Sequence, residues 1–134
     1  MSFYEALIEY VESKPEAVSE YPFGPDALVY KVHGKMFALF TEVDGCVRVN
    51  LKCEPNHAIE LRSIFDAVKP GYHMNKKHWN SVFLDGSLPI GEVSRMVDHS
   101  YEMVFQGLTK RQKQNLMLRY DHCQLFGTTD KTNA

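Results

Sequence analysis

Residues 46–52, Cys-Val-Arg-Val-Asn-Leu-Lys, alternate apolar and polar side chains without a break. A period of two is the signature of a strand with one buried and one polar face. Val47, Val49 and Leu51 then point one way, and Cys46, Arg48, Asn50 and Lys52 the other. Asp44-Gly45 immediately before is a type I′ hairpin signal, so this strand pairs antiparallel with the preceding apolar run, Met36 to Val43. Gly34 turns the chain from an earlier strand, Ala27 to His33, where Leu28, Tyr30 and Val32 oppose Lys31 and His33. A three-stranded meander with one apolar face has to cover that face, and helices elsewhere in the chain are the natural cover.

The rest of the sequence supplies them. Ser2 to Ser13 reads as an amphipathic helix with Phe3, Leu7, Tyr10 and Val11 on one side and Glu5, Glu9 and Glu12 on the other. Lys14-Pro15 breaks it. Ser19 to Asp26, with Pro22, Gly24 and Pro25, reads as a loop that covers a core edge through Tyr21 and Phe23. Pro55 to Asp66 is a second helix, with Pro55 in its first turn and Ala58, Leu61, Ile64 and Phe65 as its stripe. Lys69-Pro70-Gly71 is a turn, Tyr72 to Lys77 an irregular segment or short strand, and Trp79 to Leu84 a strand. Pro89 falls in the first turn of a long helix to about Gln106, closed by Gly107. Thr109 and Gln112 form a capping box that opens a short basic helix with Lys110, Arg111, Lys113 and Arg119. The predicted class is α+β, an antiparallel sheet with helices packed on one face, in the order α-β-β-β-α-β-β-α-α. Residues 1–121 read as one domain and 122–134 as a flexible tail, because periodicity stops there.

At 134 residues the chain can bury a core without a metal or disulfide staple. No apolar run approaches the ~18 residues of a membrane span. Met1 to Tyr10 carries two acids and no base, which fits neither a signal nor a transit peptide. Three cysteines, an odd number without metal spacing, read as the reduced thiols of a cytoplasmic protein. The net charge of −2 is unevenly spread. Residues 1–60 hold five Lys/Arg against ten Asp/Glu, giving −5, and residues 61–134 hold ten against seven, giving +3. That asymmetry suits a polyanion-facing end.

The chemistry concentrates between Lys69 and Phe83, a run with no acid. Lys69, His73, Lys76, Lys77 and His78 are interleaved with Tyr72 and Trp79, the one tryptophan. Arg48 and Lys52 belong to the polar face of the third strand. Cations supply a phosphate term and aromatic rings a surface for unstacked bases, so these eight positions (Lys69, His73, Lys76, Lys77, His78, Trp79, Arg48 and Lys52) are the candidate nucleic-acid-binding set. The plainer reading is a solvated loop with Trp79 as a core anchor. His73 with His78, and His122 with Cys123, match no tight metal pattern, while Glu5, Glu9 and Glu12 offer hard oxygen ligands on one helix face. Asp98, His99 and Ser100 resemble a catalytic triad in print, but successive helical side chains diverge by about 100°. Cys53 precedes Glu54-Pro55 without a base. No nucleotide fingerprint or other cofactor signature is present.

Residues 74–89, Met-Asn-Lys-Lys-His-Trp-Asn-Ser-Val-Phe-Leu-Asp-Gly-Ser-Leu-Pro, resemble the MmcQ/YjbR family of small bacterial proteins. Val97-Asp98-His99-Ser100-Tyr101, Lys35-Met36-Phe37-Ala38 and Val49-Asn50-Leu51-Lys52 extend the resemblance to about residue 120. It implies a frataxin-like (CyaY-like) fold, a "double wing" arrangement and the family's label of DNA binding. The combined expectation is a non-enzymatic protein that makes weak, phosphate-dominated contact with DNA. Two alternatives accompany it: a module that holds an acidic protein partner, and a frataxin-like iron site on Glu5, Glu9 and Glu12.

Overall fold

The computed structural model describes residues 2–127. Helix α1, Phe3–Glu12, begins at Ser2, whose side chain accepts from Glu5 N–H while Glu5 reaches back to the Ser2 N–H. Strands β1 (Ala17–Glu20), β2 (Leu28–Val32), β3 (Lys35–Val43) and β4 (Cys46–Lys52) follow, then α2 (Pro55–Ile64), β5 (Val68–Pro70) and β6 (Trp79–Phe83). Three helices end the described chain: α3 (Ile90–Gln106), α4 (Lys110–Arg119) and α5 (His122–Phe126). The six strands form one antiparallel sheet in the order β1-β2-β3-β4-β6-β5.

The meander is as expected. Asp44 and Gly45 both take positive φ, 51° and 81°, which the type I′ turn requires. Register between β2 and β3 shifts after Tyr30, which faces Ala38 while Lys31 faces Met36. Phe37 is thus an extra residue, a β-bulge that re-aims a side chain. It is fully buried, with its ring edge-on to Tyr101 of α3 at 5.2 Å. Ser100 of α3 fastens the same place: its hydroxyl donates to Phe37 C=O at 2.6 Å and accepts from Lys52 N–H at 2.8 Å. Helix α3 therefore lies across β3 and β4, α1 packs beside it, and α2 covers β5 and β6. All three lie on the face that carries Phe40, Val49 and Val82, which the register aligns across the sheet.

The structure corrects the expected order at three points. The segment read as a loop from Ser19 begins inside β1, a four-residue edge strand, Ala-Val-Ser-Glu, too short to show an alternation that would reveal its pairing with β2. Tyr21 and Phe23 cover nothing; both rings are exposed. The short strand before β6 is Val68–Pro70 rather than part of 72–77. Two boundaries also differ: Pro89 is the N-cap of α3 rather than a residue of its first turn, and Ile64 ends α2 exposed instead of joining its stripe. Residues 122–126, read as tail, form α5, with an Asp121–Gln124 capping box and a buried Leu125. The rest of that tail, 128–134, lies outside the described residues.

Candidate nucleic-acid interface

Directly opposed residues of an antiparallel pair share a face. The register aligns Asn50 with Ser81 and Lys69, Arg48 with Thr41 and Phe83, and Lys52 with Trp79. These side chains occupy the face turned away from the helices. Lys31 and Glu20 join them toward the β1 edge, where they pair at 2.6 Å. Among the described strand residues that the register places on this face, Glu20 is the sole acid. The face is therefore cationic although the chain is not.

The loop from Gly71 to His78 folds back onto this face. Asn50 and Ser81, polar residues expected to face water, are buried beneath it. Ser81 Oγ donates to Asn50 Oδ1 at 2.5 Å and accepts from Tyr72 N–H at 2.8 Å, and Asn50 Nδ2 donates to Tyr72 C=O at 3.2 Å. Both backbone groups of Tyr72 are thereby fastened to the sheet, and its ring lies over the Arg48 guanidinium, 4.4 Å from ring centroid to Cζ. Arg48 is only 7% exposed, so it is not the open phosphate contact that alternation suggested. It donates to Thr41 Oγ1 at 3.0 Å.

The far end of the loop is held from α2. Arg62 Nε donates to Asn80 Oδ1 at 2.7 Å, and its Nη2 reaches the carbonyls of Trp79, at 3.3 Å, and Lys76. Gly71 lies so close to Trp79 that a Cβ there would come 2.7 Å from Trp79 Cβ. Asn75 Oδ1 accepts from Lys77 N–H, the local turn bond its side chain is suited to make. Arg62, Asn50, Ser81 and Gly71 are residues that the sequence reading did not place in the site, and Tyr72 was named there among the interleaved aromatics but not among the eight candidates. For Asn50 and Ser81 the linear signal is a polar residue at a strand position, and the register sets the two opposite each other.

The candidate residues divide accordingly. Lys52 and Trp79 are half-buried neighbours on the sheet, and Lys69 is exposed beside them. Lys77 and His73 are exposed on the loop, with His73 tilted against Tyr72 at 4.0 Å between centroids. Lys76 is also exposed, but its Nζ donates to Gly71 C=O at 3.3 Å. His78 is half-buried, and its carbonyl accepts from Cys53 N–H. Trp79 is neither a core anchor nor a free plate.

The other chemistries do not assemble. Asp98, His99 and Ser100 diverge to Lys14, to the Glu54 N–H and to Phe37 C=O. A narrow crevice between α2, α3 and the sheet, with an interior volume of only about 10 Å³, is lined by Cys53, His57 and His99, among others. Burial, aided by the neighbouring His57, holds His99 below the ordinary histidine range, and its Nε2 accepts from Glu54 N–H. Burial pushes the Cys53 thiol up to about 11. A protonated thiol beside a neutral imidazole is not an activated nucleophile. The iron expectation on α1 fails on geometry: Glu5 caps its own helix and Glu12 accepts from Tyr30 Oη at 2.8 Å. No three His, Cys, Asp or Glu side chains among the described residues are grouped to hold a metal. No helix among them is long and apolar enough to cross a membrane.

A family model described as YjbR matches residues 12–103. The chain is 38% identical over 96 residues to the uncharacterized protein YbdF of Escherichia coli O157:H7, covering 72% of this chain and 79% of that one. It is 35% identical over 111 residues to the uncharacterized protein YjbR of Escherichia coli strain K12, covering 83% and 94%. Among solved structures it superposes on Deinococcus radiodurans protein DR2400, a DUF419 domain, with a TM-score of 0.78 at 32% identity, covering 85% of this chain and 87% of that one. A Pseudomonas syringae protein gives 0.66 at 26% identity, covering 74% and 96%.

Proposed function

The chain belongs to the YjbR family, and from the geometry of its open sheet face we propose that it is a non-enzymatic nucleic-acid-binding protein making weak, phosphate-dominated contact with DNA. The frataxin-like layering is part of the proposal: helices occupy one side of the sheet and leave the other for a polyanion. One observation carries the reading. The register gathers Arg48, Lys52 and Lys69 with Trp79 on a single face, the loop adds Tyr72 and Lys77, and Glu20, the one acid among the described strand residues of that face, is paired with Lys31. Of the two exposed loop lysines the greater role falls to Lys77, because the Lys76 ammonium is tied to Gly71 C=O.

Three cations whose ammonium groups have no partner among the described residues, Lys52, Lys69 and Lys77, make a small phosphate footprint. Each contributes about −0.7 to −0.9 to the slope of log affinity against log salt. The total, about −2 to −3, weakens binding roughly 20- to 40-fold between 50 and 200 mM salt. Anisotropy titration of the full chain with labelled DNA across that range tests this. Lys52→Glu with Lys69→Glu abolishes binding, and Lys77→Glu weakens it more than Lys76→Glu. A flat salt dependence, or unchanged affinity in the Lys52/Lys69 pair, overturns the assignment.

A second reading has its own observation. Helix α4 exposes Lys110, Arg111, Met117 and Leu118 along one side, Leu118 at 84%, a basic and apolar strip suited to an acidic protein surface. A partner captured after nuclease treatment, and lost on Leu118→Asp, supports it.

A further inference from the structure

We infer that Tyr72 and Arg48 form a subsite for one nucleotide, with the base against the outer side of the Tyr72 ring and a phosphate at Arg48. The protein on this basis selects single-stranded over duplex nucleic acid. The inference rests on the nucleic-acid reading of this face and adds the strandedness of what it takes.

The starting point is the charge on Arg48. A guanidinium has five N–H donors, and this one is more than nine-tenths buried. Arg48 forms no ion pair with any carboxylate among the described residues. Its one side-chain hydrogen bond goes to Thr41, and its Nε has no partner. Buried charges are normally paired, and an unsatisfied buried donor is where an ion or ligand group belongs. An oxyanion is the group that matches a guanidinium fork.

The ring above supplies the second half. Tyr72 is 51% exposed although its N–H and C=O are both bonded to the sheet. Its inner side is occupied by Arg48 and its flank by the tilted His73 ring. A half-open aromatic ring fixed by its backbone and backed by a cation is a ready platform, since little freedom is lost when a base stacks on it. The phosphate attached to that base then approaches the guanidinium past the ring edge. Lys52 and Lys69, on the same face, track the neighbouring phosphates.

A duplex meets only part of this. Its bases are already stacked and paired, and its stiff backbone offers phosphates to Lys52 and Lys69 but not to a guanidinium beneath a side chain. A flexible strand provides both base and phosphate. Stacking on one aromatic side chain corresponds to about 5- to 150-fold in affinity, and that sets the expected preference.

The test is anisotropy of the full chain with a labelled oligo(dT) and with a hairpin duplex of equal phosphate number, at several salt concentrations. The wild type binds oligo(dT) more tightly. Tyr72→Leu erases the preference without changing the salt slope, and Tyr72→Phe, which keeps the ring, loses less. Arg48→Met reduces the slope for oligo(dT) by about 0.7, with melting curves showing that the variant is folded. Arg48→Lys, which keeps the charge but not the fork, serves if Met at this position fails to fold, and it weakens oligo(dT) binding more than duplex binding. Equal binding of both probes, with Tyr72→Leu silent while Lys52→Glu/Lys69→Glu abolishes binding, overturns the subsite and leaves the cationic face standing. Binding of neither probe at low salt overturns both.

Discussion

Asp98 gives the sharpest stability prediction. Its Oδ1 accepts from Lys14 Nζ at 2.9 Å and from the Tyr10 hydroxyl, so it joins α3 to α1 and to the segment leading into β1. Lys14 is 3% exposed, and its ammonium otherwise meets only the rings of Tyr101, at 5.1 Å, and Tyr10, at 5.7 Å. Removing one partner of such a pair strands a buried charge and costs about 3–5 kcal/mol, whereas replacing both with apolar groups is close to neutral. Unfolding entropy near ~2.1 cal/mol/K per residue gives about 0.28 kcal/mol/K for 134 residues. Each kcal/mol then moves Tm by about 3.6 °C, so Asp98→Ala lowers Tm by about 11–18 °C. Lys14→Met with Asp98→Leu recovers most of that. The pH dependence has a definite sign. Burial already holds the Lys14 ammonium below the ordinary lysine range, against the pull of Asp98, and loss of Asp98 lowers it further. Between the variant's value and the wild type's, only the variant's folded state has lost the proton that its unfolded chain still holds, so the variant's deficit shrinks as pH rises through that window. Melts are best kept below about pH 9.5. The hydroxyls of Tyr10, Tyr30 and Tyr101 are held above the ordinary tyrosine range, chiefly by burial, and their contribution is lost as pH rises beyond the unfolded value of about 10. A Tm change under about 4 °C in Asp98→Ala, or a double variant no more stable than the single one, refutes the reasoning.

Two further outcomes follow from the same packing logic. Gly71→Ala places a Cβ against Trp79 Cβ at 2.7 Å and Trp79 O at 2.9 Å; the overpacking costs about 1–3 kcal/mol and shifts the emission of Trp79, the chain's one tryptophan, so an unchanged spectrum and melt contradict the close approach. Among the three free thiols, exposed Cys123 reacts first with a disulfide reagent and buried Cys53 only on unfolding, because a thiol pushed up to about 11 holds about a hundredfold less thiolate than one at its ordinary value; fast labelling of Cys53 in the folded protein contradicts that.

What was legible in the sequence follows from how local each cause is. The β3–β4 hairpin could be read because alternation and Asp44-Gly45 are written within a few residues. So could the Thr109–Gln112 box, whose two bonds span three residues. Strands β1 and β5 are four and three residues long, too short for their side chains to carry a period that can be read. Helix α5 is five residues long, too short for a stripe. The site was harder for a different reason. Alternation assigned Asn50 and Arg48 to one polar face, but nothing local said that Ser81 lies beside Asn50 or that the 71–78 loop returns to cover them. That return is fixed by bonds between residues 9 to 22 positions apart.

The departures from local expectation are not scattered. Among the described residues four non-glycines take positive φ: Glu16, His33 and Asp44 do so in turns joining one element to the next, while His73 does so in the loop over the open face. Beside it are the buried Asn50–Ser81 pair and the guanidinium without an acid. Each costs free energy that a solvent-exposed strand face and a looser loop would avoid. A fold needing only to cover its sheet could place a leucine at 48 and leave the loop in water. Natural sequences depart from local rules chiefly at functional or strained sites, and here the departures converge within one loop and the three strands beneath it. The cost becomes intelligible if the face is built for an anion that completes it. The single strand proposed above supplies that anion, along with a base for the ring that covers Arg48.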